Sequence, residues 1–147
     1  MILQAVLYAA LIGFVLVVLA IVVLATRRWL LQRSGGTFDC SLRLDRRPSA
    51  GMGWVLGIAR YSGDSIEWFR VFSFSFKPLR VFLRTELEVQ GRREPVASEA
   101  LGLYDGHVIV EVSEAGEKVE FAMAEEAVTG FLAWLEAAPP GKSRSPL

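Results

Sequence analysis

The residues that could do chemistry are few. The chain holds one histidine and one cysteine among 147 residues, so no two-histidine zinc motif and no internal disulfide exists. His107 opens a predicted strand and reads as an ordinary sheet or surface residue. Cys40 sits on the apolar side of an alternating segment, where a small thiol packs as a hydrophobe. Asp39, Asp45 and Asp64 are spread through strand and turn rather than gathered in a calcium loop. Gly51, Gly53 and Gly57 match neither phosphate-binding glycine pattern. Glu111, Glu120, Glu125 and Glu126 mostly alternate with apolar residues and read as a solvated face. These residues supply no catalytic set, no metal site and no cofactor, and the sequence points away from an enzyme.

Binding is better represented. Arg43, Arg46 and Arg47 cluster after the first soluble strand, and guanidinium groups suit phosphates or anionic headgroups. Aromatic residues are dense from Trp54 to Phe82. Most must fill a small core, yet Trp68 and Phe69, or Phe72 to Phe76 with Phe82, place bulky groups on both faces of a strand. One face is therefore expected to be covered by another protein or by the bilayer surface, with Trp68, Phe69, Arg70 and Phe82 as the partner-contact residues. Nucleic acid is not an expected partner, because the formal net charge is zero.

What must position these groups begins with an anchor. Ala5 to Ala25 contains no charged side chain, and at 1.5 Å per residue it spans about 31 Å, the thickness of a bilayer's hydrocarbon layer. Tyr8 and Trp29 flank it as interfacial aromatics do. The competing reading, a cleaved signal peptide, lacks a basic start and a small-residue cleavage site. Arg27, Arg28 and Arg33 all follow the apolar run, which predicts an outward N-terminus and a cytoplasmic soluble part on the inner (plasma) membrane.

Residues 1–33 thus form the anchor and its basic flank, 34–138 a soluble domain and 139–147 a disordered tail. Gln32 to Gly36 reads as a short flexible joint. Period-two alternation predicts strands over Thr37–Leu44, Trp54–Tyr61, Ile66–Val71, Leu79–Thr85 with continuation to Gly91, His107–Val112 and Lys118–Met123. The alternation also runs through Phe72, Phe74 and Phe76, whereas Arg92 to Glu99 reads as loop. Ala127, Val128, Phe131, Leu132 and Leu135 then recur at helical spacing, with Pro139 and Pro140 ending the helix. The expected fold is α+β: an N-terminal transmembrane helix, then a curled antiparallel sheet closed by a C-terminal helix, pleckstrin-homology-like in order. A flatter sheet with the helix across one face is the alternative.

Charge is divided along the chain. Arg27 to Arg93 carries a net +7, and Glu94 to Leu147 a net −7. Either a basic face approaches an anionic membrane, or the two halves pair with each other.

Two segments resemble a known family. Gly53-Trp-Val-Leu-Gly-Ile-Ala-Arg-Tyr-Ser-Gly-Asp-Ser-Ile-Glu-Trp-Phe-Arg-Val-Phe-Ser-Phe-Ser-Phe-Lys-Pro78 and Thr129-Gly-Phe-Leu-Ala-Trp-Leu-Glu-Ala-Ala-Pro-Pro-Gly141 are similar to the actinobacterial domain-of-unknown-function 2550 family, as is the opening anchor. The resemblance covers nearly the whole chain. It implies a single-pass membrane protein of high-GC Gram-positive bacteria, with genes near those of the proton-translocating ATP synthase and no established catalytic residues. The expected role is a membrane-tethered adaptor for another membrane-associated protein. An anionic-lipid or phosphate module is the alternative, and an uncharacterised enzyme the second.

Overall fold

A computed structural model describes residues 1–33, 35–43 and 53–137. Helix α1, Ile2–Arg33, is apolar on every side, and Leu11, Phe14, Leu19 and Val23 all stay exposed with no protein to pack on. It is the one helix among the described residues long and apolar enough to cross a membrane.

Strand β1, Thr37–Arg43, is the hinge of an antiparallel sheet. On one side it pairs with β2, Trp54–Val55, and β3, Gly57–Ser62. These two pieces keep one register along β1 and are a single strand interrupted at Leu56. From β3 the sheet continues through β4, Ser65–Arg70, to β5, Arg80–Leu83. On its other side Cys40 to Leu42 pairs with β8, Glu117–Ala124, followed by β7, His107–Glu114, and β6, Leu87–Arg93. The order is thus β5-β4-β3-β1-β8-β7-β6. A 3-10 turn over Arg84–Glu86 carries the chain from the first edge strand directly to the last. A sheet whose two edges are joined by three residues is curled, and its inner face holds the core.

Trp68, Phe82, Phe121 and Met123 fill that core, each at most 2% exposed. The Trp68 indole donates to the Cys40 carbonyl at 2.7 Å, so its buried N–H is satisfied. Gly57 makes room for it: a Cβ there would lie 2.3 Å from the indole ring.

Helix α3, Glu125–Glu136, covers the core with Val128 and Phe131. Its Trp134 donates to the Gly63 carbonyl in the β3–β4 turn and packs on Tyr61. Glu125 and Glu126 occupy its first turn, where carboxylates suit the positive end of the helix dipole.

Three expectations are corrected. The stretch read as a flexible joint is mostly ordered: α1 runs to Arg33, and Gly35 and Gly36 make a reversal in the left-handed region, at φ 72° and 66°. The alternation through Phe72 to Phe76 is not a strand: Val71 and Leu79 still donate to the Leu56 and Trp68 carbonyls, but the residues between them pair with no strand and bulge out between β4 and β5. The stretch from Arg92 is not all loop: β6 extends to Arg93, and a short helix α2 occupies Ala97–Ala100.

Candidate functional site

The reversal at Gly35–Gly36 sends β1 back alongside α1. Gly36 accepts a hydrogen bond from the Tyr61 amide, and Arg28 meets Asp39 at 3.4 Å. One helical position earlier, Arg27 is 2% exposed. Its Nε donates to the Ser75 carbonyl at 2.6 Å, and its Nη1 to the carbonyls of Arg70 at 2.9 Å and Val71 at 3.3 Å. A charged fork satisfying several carbonyls is worth more than neutral hydrogen bonds. Leu31, one turn further on the same helix face, is also buried. The end of α1 is therefore fastened to the segment joining β4 to β5.

This fastening accounts for a second apolar layer. Ala59 and Trp68 point into the curled sheet, so their neighbours Ile58 and Phe69 point outward, yet both are 1% exposed. They lie on the face that the end of α1 approaches, and Arg60 stacks over Phe69 at 5.0 Å.

The contact residues expected at a partner surface divide accordingly. Trp68 and Phe82 are core and Phe69 is the buried outer layer, so none of the three offers its side chain at the surface; this is a correction. The alternation that suggested two-sided exposure reflects a sheet covered on both faces here. Arg70 is exposed. The exposed apolar groups are others: Phe72 at 78%, Phe74 and Phe76 at 60%, and along β5 Leu79, Val81 and Leu83 at about half. Phe72 and Arg70 line a shallow cavity of about 330 Å³ with Trp54, Leu56 and Gly102. Leu101, beside Gly102, is 91% exposed. Sequence alternation marked these residues as apolar but could not say which side lacked a cover.

Arg43 is drawn into an ion-pair network. It reaches Glu120 at 3.1 Å and Glu99 at 3.5 Å, while Arg93 grips Glu99 through two bonds of 2.7 and 2.9 Å. Arg93 also contacts Glu111 and Glu120, and Lys118 closes the ring on the same two carboxylates. Among the described residues, three cations of this cluster face three carboxylates. Hydrogen bonds from Arg93 hold the Glu99 carboxyl below its ordinary range. Glu120, expected on a solvated face, is instead 8% exposed within this network. Arg46 and Arg47 lie outside the described residues.

His107, 8% exposed, is buried rather than superficial. It borders a cavity of about 430 Å³ with Arg92, Glu94, Tyr104 and Glu125. Burial lowers the imidazole's proton affinity below its ordinary value. Arg92 is paired with Glu125 at the rim. The Cys40 thiol is buried and pushed far up by desolvation, which keeps it protonated and unreactive. Among the described residues no group of three His, Cys, Asp or Glu side chains is placed to hold a metal.

A family described as protein of unknown function (DUF2550) matches residues 14–141. An uncharacterized protein of Mycobacterium tuberculosis (strain ATCC 25618 / H37Rv) is 33% identical over 144 residues, covering 92% of this chain and 96% of the relative. One from Mycobacterium leprae (strain TN) is 31% identical over the same coverage. No solved structure matches the chain.

Proposed function

The chain belongs to the DUF2550 family of proteins of unknown function, and on that premise we propose that it is a membrane-tethered adaptor, or accessory subunit, for another membrane-associated protein. The observation that carries this reading is the exposed edge of the sheet. Strand β5 ends the strand order and turns Leu79, Val81 and Leu83 outward. An edge strand with free backbone groups and an apolar row is a template for strand addition by a partner. Pro78 and Arg80 confine such pairing to the short stretch from Val81 to Leu83, whose exposed side chains are aliphatic.

The membrane part of the proposal rests on α1 as a bilayer-spanning anchor, with the arginine flank on the inner side and the domain in the cytoplasm. The element order remains the motive for a pleckstrin-homology-like comparison. A lipid- or phosphate-binding role through Arg43, Arg46 and Arg47 is disfavoured for Arg43, whose guanidinium already serves Glu99 and Glu120.

A photo-crosslinking residue in place of Val81, in the full chain in native membranes, tests the adaptor reading. One discrete protein adduct, lost in the Leu79→Asp/Leu83→Asp variant, is the expected result. Recovery of an uncrosslinked monomer under gentle detergents would overturn it.

A further inference from the structure

The Val71–Leu79 bulge carries its own message, distinct from the β5 edge. Its three phenylalanines alternate with serines, and all three rings are at least 60% exposed. Three exposed rings in five residues are out of place beside water. Their position is fixed by Arg27. Ser75, lying between Phe74 and Phe76, accepts the Arg27 Nε at 2.6 Å, and Arg27 stands two residues past the last residue of the uncharged run. Two helical residues span about 3 Å. The Ser75 backbone therefore lies within one arginine side chain's reach of the level where the apolar part of α1 ends, with Phe74 and Phe76 one residue to either side.

The neighbourhood has the composition of an interface. Arg70 and Lys77, both exposed, bracket the phenylalanines. Phe72 and Arg70 also line the shallow cavity beside Trp54 and Leu56. Apolar rings flanked by long basic side chains suit the boundary between headgroups and acyl chains, where the rings sink and the cations stay with phosphates. We propose that Phe72, Phe74 and Phe76 insert into the interfacial layer of the same bilayer that α1 crosses, as a second membrane contact. The occupant of this face is lipid, because the surface is continuous with the emerging helix. The proposal rests on α1 being the anchor, and the test separates the two.

Full-length protein is placed in bilayer nanodiscs of phosphatidylcholine and phosphatidylglycerol, with an environment-sensitive thiol probe at one position at a time: Phe74→Cys, Val15→Cys or Glu136→Cys. Cys40 is 1% exposed and stays unlabelled. Insertion about 5–10 Å deep should cost the probe at 74 about half its emission when the acyl chains are brominated, and shield it from aqueous iodide. The probe at 136 should behave oppositely, and the probe at 15 should be quenched by the lipid. Quenching at 15 with iodide access at 74 would overturn the insertion while leaving the anchor intact. Shielding at 74 from both quenchers would mean that protein covers the face, which also overturns it. Absence of lipid quenching at both 15 and 74 would remove anchor and insertion together. In the Phe72→Ser/Phe76→Ser background the lipid quenching at 74 should fall about twofold, because the neighbouring rings no longer draw the segment inward.

Discussion

At the scale of single residues, Arg27 does what its neighbours Arg28 and Arg33 do not. It follows the apolar run like any flanking cation, but its guanidinium is spent on backbone carbonyls of Arg70, Val71 and Ser75. Arg27→Ala should lower unfolding stability by about 2 kcal/mol, since hydrogen bonds to a charged donor contribute about 1.5–3 kcal/mol. Arg27→Lys should recover only part, because an ammonium cannot reproduce the planar fork. Thermal unfolding of the full chain in detergent, followed by tryptophan emission, measures both. His107 gives a pH signature. Its folded-state proton affinity lies below the ordinary value of 6.5, so the unfolded chain takes up the proton first on acidification. The stability this neutral imidazole contributes is complete above pH 6.5 and is lost as pH falls below it. Glu99 is depressed below its ordinary 4.5, so its contribution is lost only under more acidic conditions. Melting temperatures between pH 7.5 and 5.5 should therefore fall in the wild type and stay nearly level in His107→Gln. None of these partnerships could be read along the chain: the residues bound by Arg27 lie 43 to 48 positions away.

At the scale of elements, periodicity located most strands and the final helix, because a half-buried strand and a one-faced helix leave different spacings. The turns at Ser62–Ser65 and Ala115–Gly116 fall where turn residues interrupt two alternating runs. Phe72 to Phe76 was the instructive failure. Alternation records that every second residue is apolar, and an unpaired bulge with exposed rings and a half-buried strand share that pattern. Only a missing ladder partner separates them, and hydrogen-bond partners across a sheet are non-local. Helix α1 carries its own prediction. If its arginine flank sets the orientation, an alkaline phosphatase fused after Leu147 should be inactive, while a cytoplasmic reporter at the same place is active. Full phosphatase activity would reverse the topology.

At the scale of the molecule, part of the opposed charge of the two halves is turned toward each other. Arg43, Arg80, Arg92 and Arg93 from the basic half meet Glu99, Glu114, Glu120 and Glu125 from the acidic half. Of the two readings open to the charge pattern, internal pairing is the one these residues follow. That could not be decided in sequence, because the curl of the sheet determines which charges become neighbours. The same architecture bears on the Gly35–Gly36 reversal. A domain on a slack leash sweeps a hemisphere above the bilayer and meets partners at many heights and angles. Here the strand doubles back and the helix end is pinned, so α1 behaves as a threaded post with the domain bolted to it. Each residue added between the apolar run and Arg27 would lift the domain by about 1.5 Å and turn it by about 100° about the post. If α1 crosses a bilayer as proposed, the pitch of that one helix sets the elevation and compass bearing of the β5 edge.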